Sequence, residues 1–179
     1  NLRGIILLGG ACMSIKDALL YQNYLVLNEV KDMKGILGWF LRKTLKEDKV
    51  EKQIDELFDK AEKSTKNTFF YRGAIFPTKY IKEHASLTKE DYIKLLKMYK
   101  AKILAITGKA DVQADYRKLE ALQDQDNAVI YIPDELNHFL RDVDTDPSIL
   151  NIKKEYKLCL KREISPKLRQ AINQWSKEI

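Results

Sequence analysis

Apolar residues fall into two kinds of run along this chain. Gly4–Ile5–Ile6–Leu7–Leu8–Gly9–Gly10 is short, wholly apolar and ended by glycines, the pattern of a strand buried on both faces. A strand as the opening element predicts sheet partners upstream of it. Lys102–Thr107 and Asn127–Ile132 read as two further strands, separated by a helix containing Leu119 and Leu122. That spacing is a βαβ unit, so the two strands should be parallel with a right-handed crossover.

The remaining apolar residues recur at helical spacing. Ser14 and Asp17 form a capping box that opens a helix carrying Leu19, Leu20, Leu27 and Val30. A second helix gathers Met33, Ile36, Leu37, Phe40, Leu41 and Leu45 on one face, with Gly35 and Gly38 each costing up to about 1 kcal/mol relative to Ala. A third, from about Asp48 to Lys63, repeats Val50, Ile54, Leu57, Phe58 and Ala61 with a clear helical period. Residues 67–86 read as irregular and aromatic-rich, with Pro77 among them. Thr88 and Asp91 form another capping box, for a helix that should bury Tyr92, Leu95, Leu96 and Tyr99. Tyr156, Leu158 and Leu160 alternate, which leaves 149–160 open to a short extended piece. Ser165 and Pro166 begin a last helix with Leu168, Ile172 and Trp175 as its buried stripe.

The expected fold class is therefore α/β, with about three parallel strands. The stretch between the first two strands is far longer than a crossover needs. It reads as an all-helical insertion, residues 14–99, on a scaffold formed by 1–13 and 100–179. The chain has 179 residues, enough for one ordinary core with an attached helical layer. Its formal net charge of +6 is modest among 32% charged residues of interspersed sign, and no nucleic-acid-binding motif accompanies it. A nucleic-acid partner is not expected. Nor is a membrane partner, because no run is long and apolar enough to span a bilayer. Cys12 and Cys159 have no CxxC pattern and no nearby His, so neither a metal site nor a disulfide framework is expected. Free thiols suit a reducing, cytoplasmic setting.

The candidate chemistry lies just beyond the second and third strands. Asp111 follows the turn Thr107–Gly108–Lys109–Ala110, and His138 sits in the loop after the next strand. Ligands of open α/β sheets bind outside the carboxyl ends of the strands. A carboxylate fixed there can hold an imidazole in one tautomer and stabilise its protonated form. An intervening helix and strand would let the two side chains converge. Taken singly, a strand-end Asp such as Asp111 is more often a turn residue or helix cap, and a lone His such as His138 a satisfied structural group; together, at successive strand ends, they point to a site. Gln113 either lines the same site or makes a turn hydrogen bond. Phe69, Phe70, Tyr71, Phe76 and Tyr80 either line an acyl pocket or pack the insertion onto the scaffold. His84 reads as surface or as a packed loop residue.

The runs Gly108–Lys109–Ala110–Asp111–Val112–Gln113 and Leu136–Asn137–His138–Phe139–Leu140 resemble those of α/β-hydrolase-fold esterases and peptidase-like serine hydrolases. Gly4–Gly10 is similar to the strand after that family's nucleophile-elbow helix, and Ser165–Trp175 to its terminal helix. The resemblance implies the C-terminal half of the fold, with 14–99 as a cap over the site. It also implies an ester or small-amide substrate, no cofactor, His138 as general base and Asp111 as its orienter. The chain departs from the family at the nucleophile. None of its six serines, at 14, 64, 86, 148, 165 and 176, is flanked on both sides as a Gly-x-Ser-x-Gly elbow requires. Ser14 is accounted for as a cap and Cys12 as a small, partly buried residue. The expectation is a serine supplied from upstream, an inactive chain by itself, and self-association through the unpaired first strand or the cap helices. The competing reading is a non-catalytic α/β interaction domain with a helical docking surface. Nucleotide binding is disfavoured, because Leu8–Cys12 has neither a Gly-x-Gly-x-x-Gly pattern nor a Walker lysine.

Overall fold

The three apolar runs pair with one another. In the computed structural model, which describes residues 2–10, 12–144 and 147–179, β1 (Gly4–Leu8), β4 (Lys102–Ile106) and β5 (Ala128–Tyr131) form a parallel sheet in the order β1–β4–β5. The central strand is the most deeply buried, as an apolar run without alternation predicts. Its side chains divide by the two-residue period of a strand. Leu104 and Ile106 pack with Leu136, Leu168 and Trp175, beneath helix α7 (Pro166–Ser176). Ala105 faces the other way, onto Cys12, Leu119 and Leu122.

Between β1 and β4 run α1 (Ile15–Asp32), α2 (Gly35–Thr44), α3 (Glu47–Lys63), β2 (Thr68–Tyr71), β3 (Ala74–Pro77), α4 (Thr78–Ala85) and α5 (Lys89–Met98). The capping boxes expected at Ser14 and Thr88 are both present. This stretch has its own apolar cluster: Leu57 and Ala61 of α3, Phe69 of β2 and Ile81 of α4.

Several expectations need correction. The insertion is not all-helical. Residues 68–77, read as irregular, form an antiparallel hairpin closed by Arg72 and Gly73, both at positive φ (46° and 89°). That pair of conformations matches the twist of a two-residue hairpin turn. Pro77 ends β3 instead of breaking it, because it lies at the last paired position. The element between β4 and β5 is a 3₁₀ helix, Tyr116–Leu122, rather than an α-helix. With three residues per turn, Leu119 and Leu122 align on one side and are both fully buried. Residues Ile152–Cys159 form α6, not an extended piece. Cys159 is buried on its inner side while Leu158 and Leu160 are exposed, so the alternation reflected no sheet face. The helix α5 buries none of its residues fully, and the apolar face of α2 is open to solvent.

Among the described residues, β1 has a strand neighbour on one side only, and Ile6 and Leu8 are exposed along it. No helix is long and apolar enough to cross a membrane. The packing of α7 on the sheet rests on Leu168, which is 1% exposed within the β4 cluster. Leu168→Ala should destabilise the fold by about 2–5 kcal/mol, read as a lowered urea midpoint.

Candidate functional site

The carboxyl ends of all three parallel strands converge on one pair of side chains. After β4, Thr107 and Gly108 lead into a tight turn in which the Asp111 amide donates to the Gly108 carbonyl at 3.2 Å. Gly108 serves here by close approach rather than by a special φ. A Cβ at this position would overlap the carbonyl of Leu136 in the loop after β5. The Lys109 amide donates to Pro133 at 2.9 Å, and the Lys109 ammonium pairs with Asp134 at 2.6 Å. Two strand-end loops are thus fastened side by side.

Asp111 is 2% exposed, yet each of its carboxylate oxygens is satisfied. Oδ1 accepts from the backbone amides of Gln113 at 2.8 Å and Ala114 at 3.0 Å. Oδ2 lies 2.9 Å from His138 Nδ1. A buried carboxylate is tolerated when its lone pairs are met in this way. The contact makes Nδ1–H the donor to Asp111 and leaves Nε2 as the basic nitrogen. Among the described residues Nε2 has no hydrogen-bond partner, and the imidazole is 35% exposed.

The His138 loop is shaped by its neighbour. Asn137 is buried, and its Oδ1 accepts from the amides of Phe139 at 3.0 Å and Arg141 at 3.1 Å. Its Nδ2 donates to Cys159 Sγ at 3.1 Å. Leu140 takes a positive φ of 62° to complete the turn. From the first strand, the Gly9 amide continues the ladder to Ile106 at 2.8 Å, which brings Gly9 against the pair. A Cβ on Gly9 would stand 3.2 Å from His138 Nδ1 and 3.4 Å from Asp111 Oδ2, at a φ of +62° that side chains avoid.

α1 closes the site from behind. Tyr21 donates its hydroxyl to the Asp111 carbonyl at 3.2 Å, and Gln22 donates to the Gln113 carbonyl at 3.2 Å. Burial, with the charges of Asp115 and Asp111, pushes the Tyr21 phenol up to about 12, so it remains a donor at neutral pH. Gln113 makes a turn hydrogen bond and also lines the cleft. Its amide binds Asp111, while its Nε2 donates to the Tyr156 hydroxyl at 2.7 Å. Tyr156 in turn stands edge-on to Phe139, with ring centroids 4.2 Å apart.

A cleft of about 700 Å³ opens beside His138, walled by Leu8 and Gly9, by Met13, and by Tyr80, His84 and Leu95 from α4 and α5. Of the candidate aromatics, Phe69, Phe70, Tyr71 and Phe76 are not among its walls. Phe69 is buried in the insertion's own core and stacks on Phe76 at 5.8 Å, while Phe70 is exposed. The strand period explains this, since neighbouring residues of a hairpin point to opposite faces. Tyr80 and His84 do line the cleft, with ring centroids 4.3 Å apart. Nothing in the sequence marked the roles of Tyr21 and Tyr156, whose partners are distant along the chain, or the bond from Asn137 to Cys159. Gly9 carried a visible signal as a glycine ending an apolar strand.

Two nucleophile-type side chains also border the cleft. The Ser14 hydroxyl is committed to Asp17 at 2.7 Å as a helix cap. Cys12 is 2% exposed, and burial pushes its thiol above the ordinary range, away from the reactive thiolate. What the described residues hold is an oriented imidazole base without an activated nucleophile beside it. No protein-family model matches the chain, and comparisons with curated proteins and with solved structures return no significant match.

The hydrogen bond to Asp111, aided by its charge and opposed by desolvation, holds the His138 pKa above the usual 6.5. Protonated His138 therefore adds stability that is fully present below about pH 6.5 and is lost as pH rises through the folded value. The imidazole resonances of His138 should titrate above about 6.5, and Asp111→Asn should lower that midpoint. In the same way, the urea-midpoint advantage of the wild type over His138→Gln should shrink as pH rises through the His138 titration.

Proposed function

We propose that Asp111 and His138 are the acid and general base of a Ser-Asp-His triad, in a serine hydrolase that acts on an ester or a small amide. The reading rests above all on the 2.9 Å contact between His138 Nδ1 and the buried Asp111 carboxylate. That contact orients the ring so that Nε2 is the free, basic nitrogen beside a cleft at the strand ends. A triad needs that tautomer: the carboxylate holds Nδ1–H, and Nε2 takes the nucleophile's proton. The strand order β1–β4–β5, with acid and histidine after successive strands, agrees with the closing half of an α/β-hydrolase fold. On this reading 14–99 is the cap, and the cleft under α4 and α5 receives the acyl group.

The elbow serine and the oxyanion donors would come from residues outside these 179. During attack, Nε2 accepts the serine proton as the hydroxyl oxygen bonds the substrate carbonyl carbon. The carbonyl π pair moves onto oxygen; as it returns, the bond to the leaving group breaks, and the imidazolium, facing Asp111, protonates the departing alcohol or amine. The raised His138 pKa sets the sign of the pH dependence. Activity should fall as pH drops through that value, because the base is then already protonated.

A fluorophosphonate probe tests the reading. It should leave the 179-residue chain unlabelled and should label a serine outside these residues in the intact gene product. His138→Ala in that product should reduce labelling by about 10³-fold or more, and Asp111→Asn by up to about 10⁴-fold. Labelling at any of the six serines here, or an intact product indifferent to His138→Ala, would overturn it. The latter result would favour the alternative, a non-catalytic interaction domain.

A further inference from the structure

The helix α2 is amphipathic in the opposite sense to a packed helix. Ile36, Trp39, Phe40 and Lys43 stand at i, i+3, i+4 and i+7, which places them on one face. That face points outward: Ile36 is 86% exposed, Leu37 beside it 61%, Trp39 58% and Phe40 54%. The other face attaches the helix to the protein. Gly38 is buried against the Met33 backbone. Arg42 donates from Nη1 to the carbonyls of Val30 at 3.1 Å and Met33 at 2.6 Å, at the end of α1. The apolar side is thus held out by specific contacts, and isolated large apolar residues on a surface are common while a contiguous group of four is not.

The charged residues of the helix and its flanks, up to the start of α3 where Glu47 and Asp48 follow, are mostly basic. Residues 31–46 carry five basic side chains, Lys31, Lys34, Arg42, Lys43 and Lys46, against one acid, Asp32. Lys34, Lys43 and Lys46 are exposed, and none makes a salt bridge among the described residues. Lys43 Nζ lies 5.2 Å over the Trp39 ring, so cation and aromatic share the same face. A second basic row starts from the same end of α1. There Glu29 accepts from the Ser148 hydroxyl at 2.7 Å and the Ile149 amide at 2.6 Å, just ahead of Lys153, Lys154 and Lys157 on α6.

We propose that α2 is an interfacial docking helix for an anionic lipid surface. Ile36, Leu37, Trp39 and Phe40 enter the headgroup boundary, and Lys34, Lys43 and Lys46 meet lipid phosphates. A short helix with aromatic and aliphatic residues on one side and lysines at its margin lies in such an interface. At ten residues it is too short to span a bilayer and would lie in the interface instead. A second copy of the chain fits the face less well. A two-fold contact through the same patch would set Lys34, Lys43 and Lys46 against their own counterparts. The proposal stands on α2 alone and does not depend on whether Asp111 and His138 are catalytic.

The test is sedimentation of the full 179-residue chain with vesicles of equal parts phosphatidylcholine and phosphatidylglycerol, against phosphatidylcholine alone. Three lysines near the surface predict binding on the order of 100-fold tighter to the anionic vesicles. Added salt should weaken it. Trp39 emission should shift to the blue on binding, while buried Trp175 contributes a constant signal. The double substitution Trp39→Ser/Phe40→Ser should abolish binding with an unchanged urea midpoint, since both side chains are exposed. Lys43→Glu/Lys46→Glu, at positions outside any core cluster, should remove the preference for anionic lipid and keeps the test valid if the first variant folds poorly. Equal or absent binding to the two vesicle types would overturn the proposal. So would a blue shift that appears without lipid and grows with protein concentration, which would assign the face to a second copy.

Discussion

A buried carboxylate organises this structure. Asp111 is removed from water, and an ionised group in that position is costly unless each lone pair is met. Its partners come from two separate stretches of chain: the amides of Gln113 and Ala114 within its own turn, and the His138 ring after β5. Gly9, after β1, stands against both side chains. To satisfy Asp111, two loops must reach the same point, and a third, at Gly9, packs against them. The parallel sheet makes this possible, because its strands deliver all three loops at one edge.

The supports around that point are polar and specific. Asn137 ties the His138 loop to itself and to Cys159, and Tyr21 and Gln22 of α1 fasten the Asp111 turn by its carbonyls. α1 therefore belongs energetically to the sheet as well as to the insertion it opens. The insertion keeps a separate apolar cluster between α3, β2 and α4. It presents Tyr80, His84 and Leu95 toward the cleft without drawing its phenylalanines into it.

Apolar side chains are left open on many elements, and two groups of them share one element each. Ile6 and Leu8 line the outer side of β1, and the stripe on α2 is held outward by Gly38 and Arg42. The two surfaces differ in charge and geometry. A strand edge offers backbone donors and acceptors in a row. The α2 face offers side chains ringed by lysines, which suits a broad anionic surface.

Local rules that need only neighbouring residues were legible in the chain. The three apolar runs, both capping boxes, the Ser165–Pro166 helix start and the placement of Asp111 and His138 beyond successive strands follow from pattern and propensity. Other features depended on partners distant along the chain. The hairpin at Arg72–Gly73 hid among short aromatic segments and Pro77, and the 3₁₀ turn followed from where Leu119 and Leu122 had to face. Helical periodicity in α2 grouped Ile36, Leu37 and Phe40 but took in Met33, which caps α1, left out Trp39, and said nothing of which way the face would point. That direction was set by Gly38 against Met33 and Arg42 on the end of α1. Read alone, the chain gave away the three sheet strands, most of the helices and two residues whose chemistry could matter. Only the tertiary structure decided that they meet at 2.9 Å, since contact depends on the convergence of strand ends that no local pattern encodes.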